Sequence, residues 1–228
     1  MVRTLLFALG ASVPLLLGGA LGAWWRPPEQ LLAVALAFAA GALLSAVSFD
    51  LFAAAVEGGG VHRAALGFAA GAVVFVVIDT LLDRRLEHGA AGYALLAAVT
   101  LDGVPENAAL GVSLVDGGSL ALLAAVFASN VPESLAGAVT MREQGRSRTA
   151  VVALWGGATV LLAVAVVAGR LLFAGAGHAD LAMPLSFAGG AVLASVIDTL
   201  APEAFRHGGP WIALASAAGF VMTFQLSG

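Results

Sequence analysis

Cysteine and lysine are both missing from the 228 residues, tyrosine occurs once, and only 11% of positions carry Asp, Glu, Lys or Arg. Without cysteine there can be no disulfide and no thiolate metal site, and the redox compartment is left open. A charged fraction this far below the roughly 25% of ordinary globular domains cannot cover a conventional water-facing surface. What fills the chain instead is apolar: 61% of residues are hydrophobic and the mean hydropathy is +1.00. A spanning helix needs about 20 mostly apolar residues. On that ruler eight runs qualify, at about 4–22, 31–54, 64–82, 93–115, 119–140, 149–173, 183–205 and 210–227. They leave little for a soluble domain, so one all-α transmembrane domain over 1–228 is expected in the lipid bilayer. The net charge of −4 says little about partners, because several acids fall inside the apolar runs, and no nucleic-acid partner is expected.

The first run follows Arg3 and ends near Gly22 and Ala23, which resembles a secretory signal. It exceeds the roughly 7–15 residues of a signal core, and Trp24 and Trp25 read as an interfacial anchor, so a retained span is expected. With eight spans, one side carries Arg26, Arg84, Arg85, Arg142, Arg146, Arg148 and Arg206, and the other Arg3, Arg63 and Arg170. The positive-inside bias places the first group in the cytoplasm and both termini outside a cell (inner) membrane.

Two stretches break the apolar pattern: LDGVPENAALG at 101–111 and FASNVPESLAG at 127–137. Pro105 and Pro132 cannot donate a backbone hydrogen bond, so the carbonyls of Leu101 and Ala128 lose their helical donors, and kinks are expected in the fourth and fifth helices. Asp102 and Glu106 are four apart and share a helix face; Asn130 and Glu133 are three apart on another. Two such helices facing one another would gather oxygens at bilayer depth as a cation site.

An acid at the middle of a span costs roughly 2.5–3.5 kcal/mol on insertion scales. Asp50, Asp79, Asp102, Glu106, Glu133 and Asp198 all fall inside apolar runs, with no arginine expected at their depth. A bound cation, protonation or a water-filled cavity must compensate. For Asp79 and Asp198 a protonated acid bonded to a neighbouring helix competes with a functional role, and for Asp50 a capping or snorkelling role is favoured. Asp102, Glu106, Asn130 and Glu133 are read as metal ligands and Ser129 as a weaker one. His62, His88, His178 and His207 all fall at span ends, the ordinary place for an interfacial histidine, although His207 follows Glu203 by four residues.

An internal match links FAAGAVVFVVIDTL at 68–81 with FAGGAVLASVIDTL at 187–200, identical at 10 of 14 positions, and FAAGA at 38–42 opens the second span the same way. Repeats are common in transporters, whereas Gly41, Gly71, Gly111, Gly137, Gly189 and Gly190 need no more explanation than close helix packing.

The Asp102-Gly103-Val104-Pro105-Glu106 and Ser129-Asn130-Val131-Pro132-Glu133 stretches, on the fourth and fifth spans, resemble the paired metal motifs of the ZIP (ZRT/IRT-like) divalent metal transporters. FAGGAVLASVIDTLAPEAF resembles that family's seventh helix through Pro202-Glu203. The resemblance implies eight helices in a three, two and three arrangement, a homodimer, and movement of zinc, iron, manganese or cadmium towards the cytoplasm. It also implies an elevator motion, with spans one, four, five and six sliding against two, three, seven and eight. Glu106 and Glu133 match the family's two glutamate ligands, and Asn130 its polar residue three before the second. Asp102 stands where many members have histidine, Gly103 replaces the usual Asn, and the sixth span offers no acid. A single all-oxygen site is therefore expected rather than the usual two-metal one. Asp198, Glu203 and His207 are assigned to the cytoplasmic exit.

The expected function is a divalent-metal transporter, not an enzyme, with the metal (Zn, Fe or Mn) as cargo and no resident cofactor. Carboxylate, amide and carbonyl oxygens suit hard cations, although zinc also tolerates carboxylates. The alternatives are a transport-inactive ZIP-like sensor or structural subunit and, further off, an intramembrane aspartyl hydrolase using Asp79 and Asp198.

Overall fold

The computed structural model describes residues 1–86 and 91–227; within them, the side chains at 83, 85, 86, 91–99 and 207 lie outside the description. The described residues are helical with no strand, and their helices form eight rods. These are α1 (Val2–Trp24), α2 (Glu29–Gly59), α3 (Val61–Leu86), α4 (Ala91–Ser113), α5 (Leu120–Glu143), α6 (Arg148–Leu172), α7 (His178–Ser195, continued through Val196–Leu200 and Ala201–Gly208) and α8 (Trp211–Phe224). Six described helices, those of α1, α2, α3, α5, α6 and α7, are long and apolar enough to cross a membrane. Of the other two, α4 is only partly described, and α8 has 14 residues, about 21 Å at 1.5 Å per residue against a hydrocarbon core of roughly 30 Å.

Helix continues on both sides of Pro105 and Pro132. The irregularities sit elsewhere: α2 widens to π-helical turns over Val47–Ala53, and α7 does so over Val196–Leu200. Each begins nine residues after the Phe that opens its FA-x-GA stretch, Phe38 or Phe187. A π turn displaces the i−4 hydrogen-bond ladder, and side chains fill in beside it. Ser48 Oγ donates to Leu44 O at 2.7 Å and Thr199 Oγ1 to Ser195 O at 2.7 Å.

Helices pair through glycine. Gly71 of α3 lies so close to the Phe187 carbonyl of α7 that a Cβ would collide with it, and Gly190 of α7 meets the Phe68 carbonyl in the same way. The FA-x-G sequence repeated in α3 and α7 is thus a reciprocal packing device: each glycine, three residues after its Phe, admits the partner's Phe carbonyl. Gly41 and Gly219 use the same geometry between α2 and α8, against the Ser216 and Phe38 carbonyls, and Gly111 and Gly169 between α4 and α6, against the Val166 and Ala108 carbonyls. On α1, Gly18 and Gly22 lie against the Val131 and Leu135 carbonyls of α5, contacts that climb together along both helices, so these two run parallel. Between helices in lipid, where no hydrophobic drive exists, such small-residue seams supply close packing.

These couples sort the bundle into two sets. α1, α4, α5 and α6 pack on one another, with α1 against α5 and α6 and α4 against α6; α2, α3, α7 and α8 do likewise, with α2 against α7 and α8 and α3 against α7. The main contacts between the sets are α2 with α5 and α4 with α7. None of the reciprocal glycine pairs lies across that boundary. Along part of the boundary runs an open apolar cavity of about 1050 Å³, lined by Leu31, Val34 and Phe38 of α2 and Leu123, Phe127 and Val131 of α5 among others.

The two ends of the bundle differ. One holds both termini, with Arg3, Asp50, Asp116, Ser119 and Ser227 around a common pocket. The other holds the α1–α2 and α5–α6 connections, joined by an Arg26–Glu143 ion pair at 2.8 Å.

Candidate functional site

α4 and α5 carry the polar core. Asp102 and Glu106 project one turn apart from α4, and Ser129, Asn130 and Glu133 from α5. Glu106 is 2% exposed, Asn130 1%, and Ser129 fully buried. The three carboxylates act on one another: Glu106 lies within electrostatic reach of Asp102, and Glu133 of both. No described ion pair neutralises any of the three. Glu133 Oε1 is buried with no hydrogen-bond partner, an arrangement that costs about 1–3 kcal/mol for a neutral group and more for a charge. The Ser129 hydroxyl donates to Val126 O at 3.1 Å and lies beside Glu133. Asn130 Nδ2 donates to Ala11 O of α1 at 2.7 Å, which commits the amide nitrogen to helix packing and leaves its carbonyl oxygen as the group suited to a cation. Among the described residues no three His, Asp or Glu side chains stand close enough to share one metal ion in this arrangement.

Two features extend this cluster beyond the motif. Asp102 lies within electrostatic reach of Asp79 on α3 and Asp198 on α7, and beside the Ser195 hydroxyl. That hydroxyl is buried without a hydrogen bond of ordinary geometry. The VIDTL repeat therefore brings both its aspartates towards one carboxylate, Asp79 from α3 and Asp198 from within α7's π turn. Asn107, directly after Glu106, is fully buried; its Nδ2 donates to Gly103 O at 2.8 Å while its Oδ1 has no partner. A buried amide directly after a Pro-Glu pair in an apolar run was a sequence signal that pattern reading passed over.

A cavity of about 360 Å³ leads from Asp102 and Glu133 past Asp198, Thr199, Pro202 and Glu203 to Arg206. Asp198 and Glu203 thus line a passage away from the cluster, with Arg206 near Glu203 at 3.4 Å. The His207 side chain lies outside the described residues, as does His88. At the opposite end, Asp50 is half-buried inside the π turns of α2 rather than at that helix's end, and accepts from Ser119 Oγ at 2.5 Å and Ser227 Oγ at 2.7 Å, outside the cluster. His62 and His178 open α3 and α7 at that same end.

Fold and side chains together define a helical protein with the long apolar helices of a membrane-embedded chain and a cluster of carboxylates, Glu106 buried and Asp102 and Glu133 partly so, where two helix sets meet. Compared with known proteins, the chain matches no family model and gives no significant match to a curated protein.

Proposed function

We propose that this protein carries a divalent metal cation across the membrane, with Asp102, Glu106, Asn130 and Glu133 as principal ligands and Ser129 and Asn107 as further oxygen donors. The observation that carries this reading is Glu133: a buried carboxylate oxygen without a hydrogen-bond partner, beside two more carboxylates and with no paired cation among the described residues. Groups this expensive to bury mark ion or substrate paths in membrane proteins. An all-oxygen donor set suits a hard divalent ion such as manganese or ferrous iron, with zinc tolerated through its carboxylates. Holding an ion requires the α4 and α5 carboxylates to draw together, with the cation offsetting their mutual repulsion.

In this reading all eight rods cross the membrane, α8 with help from flanking residues, in a three, two and three order. The arginine-rich end is cytoplasmic, so the cavity through Asp198 and Glu203 is the exit. The α1-α4-α5-α6 set moves as a unit against α2-α3-α7-α8; glycine seams within each set and an apolar gap between them support that division. Two chains form the assembly, as the resemblance to the ZIP transporters implies.

Purified protein in liposomes, challenged with Mn²⁺, Fe²⁺, Zn²⁺ and Mg²⁺, tests the proposal. Saturable flux of at least one ion, abolished in Glu106→Gln, is expected. Metal binding without flux would turn the assignment to a sensor or structural subunit, and protein that neither binds nor carries any of the four would end it. Cleavage of a membrane-embedded peptide, lost in Asp79→Asn and Asp198→Asn alike, would instead favour the hydrolase.

A further inference from the structure

We propose that Asp50 and His178 form a clasp that holds the tip of the α4–α5 hairpin against the other helix set, and that this clasp must open before the carboxylate cluster can face the end of the bundle that carries the termini. The inference rests on the transport reading for its purpose but not for its geometry.

The hairpin tip is built to be held. Its chain turns through Gly117 and Gly118, at φ +98° and +79°, values that an L side chain rarely adopts. Ser113 Oγ accepts from the Ser119 backbone N–H at 3.4 Å, which ties the turn across its base. Ser119 then caps α5, its oxygen accepting from Leu122 N at 2.9 Å. The oxygen accepts there through a lone pair while the hydroxyl hydrogen donates to Asp50 Oδ1 at 2.5 Å. Such a short bond to a carboxylate oxygen belongs to the stronger class. Asp50 Oδ2 accepts from Ser227 at 2.7 Å, so both oxygens are engaged and the carboxylate cannot rotate away without losing both bonds. A second point of attachment lies across the same tip: His178 Nδ1, at the start of α7, meets Asp116 Oδ2 at 2.7 Å. Both of these residues are exposed, so this pair is the weaker half.

Asp50 and His178 belong to α2 and α7, in one set, whereas Asp116 and Ser119 belong to the hairpin that carries Asp102, Glu106 and Glu133, in the other. The two contacts therefore bridge the sets at one end only. The pocket at that end, about 370 Å³ around Asp50, Asp116, Ser119 and Ser227, includes none of Asp102, Glu106 or Glu133 among its walls. The cavity at the other end is walled by Asp102 and Glu133. Clasp closed and cluster open to the arginine-rich end are thus one arrangement. Any ligand-independent weakening of the clasp should shift the population away from it. The π turns of α2 set the register: Asp50 lies inside Val47–Ala53, where the wider turn re-aims its side chain relative to an α-helix.

The chain has no native cysteine, so one introduced thiol reports cleanly. Ala136→Cys lines the cavity one turn beyond Glu133, and its rate of modification by a membrane-impermeant maleimide, added from the arginine-rich side, measures how often that cavity is open. Asp50→Ala should slow the reaction severalfold, Asp50→Asn less, since one acceptor survives, and His178→Ala least. An unchanged rate in Asp50→Ala combined with His178→Ala would overturn the clasp. This readout needs no metal, so absence of flux in the parent would remove the transport reading while leaving the clasp to be judged by labelling. Should Asp50→Ala fail to fold, Ser119→Ala, which removes the donor and leaves the Asp50 carboxylate in place, decides by the same labelling: a severalfold slower reaction is expected, and an unchanged rate would overturn the clasp.

Discussion

Glu106 is the residue on which the site stands or falls. It is almost fully buried between two other carboxylates, and replacement by Gln keeps its shape and removes its charge. Three carboxylates carry one negative charge more than a divalent ion neutralises; if the empty cluster holds protons in place of the metal, binding releases some of them. Protons and metal then compete for the same oxygens, and metal affinity should fall as pH is lowered. Calorimetry in buffers of different ionisation enthalpy counts the released protons; Glu106→Gln should bind at least tenfold more weakly and release fewer. Parent-like affinity and proton count in that variant would remove Glu106 from the site. Motif spacing made Asp102, Glu106, Asn130 and Glu133 legible beforehand, because i,i+4 and i,i+3 separations fix a helix face. Asn107, Ser195 and the approach of Asp79 were not legible in the same way, since they depend on which neighbouring helix each face meets.

Single elements show the same division. The eight rods follow the apolar runs, within a few residues at most boundaries, because run length is what a bilayer selects. The irregular turns do not follow the prolines: α4 and α5 continue through theirs, while α2 and α7 widen at Val47–Ala53 and Val196–Leu200, stretches with no proline inside them. A π turn leaves no compositional mark as strong as proline. A hydroxyl at Ser48 and Thr199 donates to the carbonyl four residues back beside each π turn, but Ser12, Thr80, Ser134, Thr140, Thr159 and Ser186 do the same in regular helix, so it does not mark the turn. Thr199→Val keeps the side-chain shape and strips Ser195 O of that donor, so a loss of about 1 kcal/mol in stability is expected. Glycines make a sharper contrast. Gly71→Ala drives a Cβ into the Phe187 carbonyl and should lower the unfolding temperature in detergent by several degrees. Gly157→Ala meets open space in the middle of α6 and should be neutral or stabilising by about 0.5–1 kcal/mol. Equal effects at the two positions would mean that the seam does not hold α3 to α7.

Across the whole molecule, the FA-x-GA matches that looked like either a repeat or chance composition have a physical content: they are the points where α2 meets α8 and α3 meets α7 through reciprocal carbonyl contacts. What the sequence pattern could not supply was the partner of each seam, because a glycine is compatible with any helix able to approach it. Once those partners are known, the molecule divides into two bodies, each held by close backbone contact, meeting along α2–α5 and α4–α7 and, in part, across an apolar gap. If transport moves these bodies past each other, ties within one body should be harmless and ties between them fatal. A side chain at Gly156 on α6 would come within 4.0 Å of Leu16 Cδ1 on α1 inside one set, while Leu36 on α2 and Ala136 on α5 share cavity walls across the boundary. A short bifunctional thiol reagent bridging Leu16→Cys to Gly156→Cys should leave uptake of whichever ion the parent carries within about twofold of the untreated protein, whereas bridging Leu36→Cys to Ala136→Cys should abolish it. Both treatments put the same reagent in the same bilayer, so a difference between them isolates relative motion from damage. Equal uptake after both would show that the two sets do not slide, and the metal would then have to pass through a fixed channel lined by the same carboxylates.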